Sequence, residues 1–171
     1  DLHSGIYGGS VENPAMALSK LLAQMIDKDG RIAVPGFYDD VAKLSAYERR
    51  QLKRLPYSER AYKKLLGVSA LFGEAGFTAI EQRSARPTLE INGLTSGYQG
   101  EGSKTIVPAW ASAKITCRLV PNQSPREVSR LLKAQLKKLC PPTVKLEIED
   151  GHGADPYLVP PDGPRAQAAL A

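Results

Sequence analysis

Two hydrophobic periods alternate along the chain, and the switches between them outline its elements. Leu18, Leu21, Leu22, Met25 and Ile26 fall at i, i+3, i+4, i+7 and i+8, the stripe of an amphipathic helix. Asn13-Pro14 supplies an N-cap followed by Pro at the first helical position, and Asp29-Gly30 is the expected stop. A second helix is expected from the capping box Ser124-Pro125-Arg126-Glu127, with Val128, Leu131, Leu132, Leu136 and Leu139 on its apolar face and Pro141-Pro142 as its stop. The period then changes to two. Ala109, Ala111, Ala113, Ile115, Cys117 and Leu119 alternate with polar residues, and so do Val144, Leu146 and Ile148. Both runs read as strands with one buried face. Leu2 to Tyr7 and Thr88 to Asn92 are shorter strand candidates, and Gly93 to Lys104 is a Gly-rich connection.

The resulting order of strand, helix, strand, strand, helix, strand predicts an α+β two-layer sandwich. In it, two helices cover one face of a four-stranded, mostly antiparallel sheet, the ferredoxin-like βαββαβ arrangement. A helical insertion from about residue 31 to residue 86 interrupts it. Within the insertion, Ser45-Ala46-Tyr47-Glu48 is a capping box and Ser58 to Leu71 a charged helix. The domain is expected over residues 1–156, and residues 157–171 form a Pro-rich, then Ala-rich tail that looks like the start of a further helix. The opening Asp1-Leu2-His3-Ser4-Gly5 has no Met, basic n-region or signal-type apolar run. A segment of a larger protein is the expectation.

Composition narrows the classes. With 42% hydrophobic and 24% charged residues the chain can bury a core, so dominant disorder is excluded, and no apolar run approaches a membrane span. The net charge of +5 is spread rather than clustered. With only 6% aromatic residues, nucleic-acid binding is not expected, and a small anion-binding protein is a weak reading. Cys117 and Cys140 are too few for a disulfide framework and read as small buried hydrophobes. His3 and His152 are the two histidines, and neither has the carboxylate company of a metal site. Gly97 to Thr105 nearly mimics a phosphate loop, but Ser103 separates Gly102 from Lys104 and an alternating strand follows. Arg118 lies with Lys114 and Thr116 on the polar face of the long strand. Its planar fork could grip a carboxylate, although from the residues alone a structural salt bridge explains it better.

Several stretches in order resemble one family. They are Asp1-Leu2-His3-Ser4-Gly5 with Tyr7-Gly8-Gly9 and Asn13-Pro14; Ala85-Arg86-Pro87-Thr88; Gly97-Tyr98-Gln99-Gly100-Glu101-Gly102; Lys104-Thr105-Ile106-Val107-Pro108; Ala113 to Asn122; and Gly151-His152-Gly153. Together they resemble the lid, or dimerisation, domain of carnosinase-like zinc dipeptidases. These belong to the metallopeptidase family that also holds aminoacylase, acetylornithine deacetylase and succinyl-diaminopimelate desuccinylase.

The resemblance implies a homodimer and a separate catalytic domain carrying two zinc or similar divalent ions, with no metal held by this chain. His3 takes the role of the histidine that reaches the partner subunit's active site and stabilises the oxyanion formed at the scissile amide. Thr105 takes that of a substrate-contacting residue also offered across the dimer, and Arg118 that of the residue holding the substrate's C-terminal carboxylate. Two departures stand out. Ser84 precedes Ala85-Arg86-Pro87 where relatives commonly carry a large aromatic, and His152-Gly153-Ala154 replaces their His-Gly-Gly, which favours a structural reading of His152.

The expected function is therefore the dimerisation and substrate-capping part of a dipeptidase, carboxypeptidase or related amidohydrolase. Its substrates would be dipeptides or N-acyl amino acids, it would act in the cytoplasm, and the chain would be inactive by itself. The alternative is a stand-alone ferredoxin-like interaction module with no link to catalysis.

Overall fold

The computed structural model describes residues 1–158 together with 163–164 and 168–169. The expected tail helix falls largely outside the described residues. Strand β1 spans Leu2–His3 and is followed by helices α1 (Ser4–Tyr7), α2 (Pro14–Ala23), α3 (Ala46–Arg54), α4 (Glu59–Leu66) and α5 (Ala79–Ala85). Strands β2 (Thr88–Ser96), β3 (Ile106–Val107) and β4 (Ala111–Arg118) then lead to helix α6 (Pro125–Leu139). The fold is α+β, as the periodicities imply.

Helix α2 forms as its cap dictates: Asn13 Oδ1 accepts the amides of Ala15 at 2.9 Å and Met16 at 3.4 Å. It ends at Ala23, well before the expected stop at Asp29-Gly30. The reason is Asp27, whose Oδ1 accepts the amides of Asp29 and Arg31, each at 2.9 Å. This side-chain turn competes with helical continuation. Met25 is still fully buried and Ile26 packs on the core, so the apolar period outlasts the helix that it announces.

β2 and β4 pair antiparallel, with Thr88 opposite Arg118 and Ser96 opposite Ala111, and the register shifts between Ile91 and Gly93. β2 thus runs past Asn92 through what was expected to be loop. Leu89, Ala113, Ile115 and Cys117 face a core shared with Leu21 and Leu22 of α2 and Val128 and Leu136 of α6. Burial pushes the Cys117 thiol up to about 11, as befits a small apolar core residue, and both cysteines are free.

The expected four-stranded sheet is not what the described residues form. They make two two-stranded sheets, β1 with β3 and β2 with β4. The first strand candidate, Leu2 to Tyr7, turns helical after two residues because the His3 side chain caps α1. Gly8 closes that turn: its N–H donates to Ser4 O at 2.8 Å, and a Cβ there would lie 2.3 Å from the same oxygen. The Val144–Ile148 run keeps its alternation, with Leu146 and Ile148 packed on the core, but joins no strand ladder. A period of two reports a buried face and not hydrogen bonding to a neighbour.

Capping residues divide in the same way. Ser45 with Glu48 forms the expected reciprocal box. Ser124 makes no side-chain cap bond, and Glu127 turns instead to Arg130 at 2.8 and 2.5 Å. The charged helix expected over Ser58 to Leu71 is the shorter α4, ended by Gly67 in the left-handed region (φ 70°). Helix α5 was not anticipated, although Thr78-x-x-Glu81 is a capping box and the structure shows both of its bonds.

The insertion is fastened by a buried carboxylate. Glu74, 2% exposed, accepts both Arg86 Nε (2.7 Å) and Arg86 NH2 (2.8 Å), and Arg31 NH1 at 2.9 Å. The Arg86 guanidinium stacks over Phe77 at 4.3 Å and Tyr38 at 5.0 Å. Ile32, Val34 and Phe37 enter the main core, and Gln123 donates to Phe37 O at 2.8 Å.

Removing one partner of a buried, hydrogen-bonded ion pair leaves the other uncompensated. Glu74→Gln is expected to lower stability by about 3–5 kcal/mol, read as a shifted denaturant midpoint. A second prediction concerns pH. The amide of Thr78, aided by its hydroxyl and the nearby Arg49, holds the Glu81 carboxyl below its ordinary value of 4.5, against an opposing effect of burial. A depressed native pKa contributes stability above the ordinary value and loses it as pH falls through the native one. Glu81→Gln should therefore cost about 1–3 kcal/mol at pH 7, and chemical denaturation in acid should show the two proteins converging.

Candidate functional site

β1 and β3 pair with Leu2 opposite Val107 and His3 opposite Ile106, which brings the chain's start against the end of the Gly-rich loop. Three further bonds fix this junction. Ser4 N–H donates to Thr105 O at 3.1 Å, Ala109 N–H donates to Asp1 Oδ1 at 2.8 Å, and Gly5 N–H donates to His3 Nδ1 at 3.1 Å. A neutral imidazole that accepts at Nδ1 carries its proton on Nε2. The hydrogen-bond network thus assigns His3 as an Nε2–H donor, and that nitrogen lies 3.2 Å from Thr105 Oγ1. The two groups border an open groove of about 490 Å³ lined by Asp1 to His3 and Ser103 to Ile106.

The Gly-rich loop beside it is organised from within. Tyr98 Oη donates to Glu101 O at 3.0 Å, Gln99 Nε2 donates to Ser96 O at 2.5 Å, and Lys104 Nζ sits 4.4 Å over the Tyr98 ring. Gly97 and Gly102 take the left-handed conformation (φ 63° and 81°) that its turns require. The residues after Thr105 are β3 and not a helix, so the loop lacks the helix N-terminus that a phosphate loop leads into.

Of the three residues singled out by resemblance, His3 and Thr105 are brought together and Arg118 is not. Arg118 ends β4 on the other sheet, exposed, opposite Thr88 and on one face with Lys114 and Thr116. It joins none of the ion pairs among the described residues, so the salt-bridge reading finds no partner. His152 is exposed. Its neighbour Gly153 packs so closely on α6 that a Cβ would stand 2.8 Å from Pro125 Cβ. Reasoning from the residues missed the work of the Gly5 amide. The signal available was spacing alone, a Gly two positions after a His at a turn of helix.

Among the described residues no three His, Cys, Asp or Glu are grouped to hold a metal ion, and no helix is long and apolar enough to cross a membrane. The donor set present does not fit a zinc centre.

A family model described as "Peptidase dimerisation domain" matches residues 1–144, a span that takes in His3, Thr105 and Arg118. The chain belongs to the peptidase dimerisation-domain family. Curated relatives of this dimerisation domain include a Cys-Gly metallodipeptidase of Schizosaccharomyces pombe, 31% identical over 139 residues, which are 81% of this chain and 29% of the relative. The Beta-Ala-His dipeptidase of Mus musculus is 28% identical over 80% of this chain and 28% of the relative. The chain thus spans about a third or less of these relatives' length. Among solved structures, a metallo-carboxypeptidase of the M20 family from Sulfolobus solfataricus superposes with a TM-score of 0.72 at 41% identity, covering 81% of this chain and 36% of that one. Human carnosine dipeptidase 1 gives 0.71 at 28% identity, covering 81% and 29%.

Proposed function

We propose that this dimerisation domain serves a metal-dependent dipeptidase, joining two subunits and capping the active site while contributing side chains to substrate and transition state. The observation that carries this reading is His3 Nε2–H beside Thr105 Oγ1 at the rim of an open groove. The relatives' names support it, being metallodipeptidases and Beta-Ala-His dipeptidases over the same span. In this reading the two zinc ions and the hydrolytic chemistry belong to a separate catalytic domain, and this chain's part is to recognise, orient and stabilise charge.

The roles follow from the chemistry of each group. A neutral imidazole N–H held in one orientation is a suitable donor to the oxygen of a scissile amide as it becomes an oxyanion, the donation passing from Thr105 Oγ1 to that oxygen. His3 would act in this way in the partner subunit's site. Thr105 Oγ1, accepting from His3, keeps its own O–H free to donate to substrate. Arg118, exposed and unpaired among the described ion pairs, would take the C-terminal carboxylate of a dipeptide or N-acyl amino acid through its bidentate fork. The alternative of a ferredoxin-like interaction module draws no support from the two separate sheets.

In the intact enzyme, His3→Ala should lower kcat by roughly 10²–10³ with little change in KM, because the oxyanion exists only after attack. Arg118→Ala should raise KM by an amount worth about 2–3 kcal/mol, and Arg118→Lys should restore little of it. Steady-state kinetics on a dipeptide separate the two. An unchanged kcat in His3→Ala would remove the oxyanion role.

A further inference from the structure

We infer that Gly5 is the positioning residue of His3. Its backbone N–H sets the imidazole tautomer, and its missing side chain leaves room for the ring at the position where Nε2 reaches Thr105. The inference deepens the proposed function and rests on it for its catalytic consequence.

Three observations carry it. Gly5 N–H donates to His3 Nδ1 at 3.1 Å, which uses the lone pair at that nitrogen and leaves the proton on Nε2. A Cβ on Gly5 would stand 3.0 Å from His3 Cε1 and 3.3 Å from Nδ1, closer than ordinary van der Waals contact, so the ring would have to yield. The contact it would yield from has no slack: Nε2 to Thr105 Oγ1 is 3.2 Å, already the long end of the hydrogen-bond range. The backbone gives no other reason for glycine. Gly5 lies inside α1 and has none of the positive φ values of the turn glycines. Alanine is the better helix former there. What selects glycine at this position is the imidazole beside it.

The test is ring-nitrogen spectroscopy on the 171-residue chain labelled with ¹⁵N-histidine, with the exposed His152 as internal reference for an unrestrained ring. At a pH where both rings are neutral, His3 should show a fully acceptor-type Nδ1 and a fully protonated Nε2. His152 should give shifts averaged between tautomers. Gly5→Ala should move His3 toward the averaged values. Thr105→Val, which removes the other partner of the ring and leaves the Gly5 amide in place, should keep the His3 tautomer fixed. Averaged His3 shifts in the wild type, an unmoved His3 in Gly5→Ala, or loss of the fixed tautomer in Thr105→Val would each overturn the inference. The Thr105→Val arm decides it if Gly5→Ala fails to fold.

In the intact enzyme, Gly5→Ala should lower kcat by roughly 10-fold or more with KM changed less than about twofold, and should cost nothing further in a His3→Ala background. Additive losses would mean that Gly5 acts on something other than the ring. A His3→Ala enzyme with unchanged kcat would overturn the catalytic reading, and the spectroscopic arm would still decide whether Gly5 holds the ring.

Discussion

A carboxylate with almost no access to water must be compensated, and Glu74 meets that demand by drawing in two arginines from opposite ends of the insertion. Arg31 opens the insertion and Arg86 closes it, and both pair with Glu74. The backbone repeats the closure. Ala75 N–H donates to Asp29 O at 2.8 Å, and Gly30 passes so near Gly73 that a Cβ would be 2.3 Å from its carbonyl oxygen. The same Arg86 leads through buried Pro87 into Thr88, the first residue of β2, whose partner in register is Arg118. A pair buried this deeply adds little net stability over an apolar filling, but its geometry specifies where the returning chain begins its strand. The location of Arg118 is therefore linked to a charge pair in the insertion.

The other half of the candidate site depends on a different constraint. β1 and β3 are each two residues long, too short to hold by pairing alone. They are supplemented by the Asp1–Ala109, Ser4–Thr105 and His3–Thr105 bonds. Each bond crosses from the N-terminal residues to the segment after the Gly-rich loop. The donor face of His3 is thus assembled from sequence positions about a hundred residues apart, while its ring orientation is set by an amide two residues away. Long-range pairing supplies the place and a local cap supplies the direction.

How much of this could be read from the residues differs by kind of interaction. Burial was legible: the stripe from Leu18 to Ile26 and the alternation from Ala113 to Cys117 both reach the core. Pairing was not, because alternation at Leu146 and Ile148 is satisfied by packing without a ladder and because β1 gives way to α1 at His3. Caps were legible where the side chain had no competing partner, as at Ser45, and misleading at Ser124, where Glu127 has Arg130 within reach. Proximity of His3 to Thr105 was carried only by family resemblance, since no local signal announces contact across such a separation. The Glu74 cluster had no signature at all. Glu74, Arg31, Arg86, Phe77 and Tyr38 are five ordinary charged and aromatic residues until the insertion folds back.

Exchange of His3 between subunits, each serving the active site of the other, is the step on which the proposed function turns. Its most direct measurement mixes two inactive forms of the intact enzyme, one carrying His3→Ala and the other lacking a metal ligand in its catalytic domain, with heterodimer formation followed independently. In such a heterodimer one active site would combine an intact catalytic domain with an intact His3 from the opposite subunit. Activity is expected to return in proportion to the heterodimer formed. Heterodimers that form and stay inactive would contradict it, and would confine His3 to its own subunit or to holding the strand.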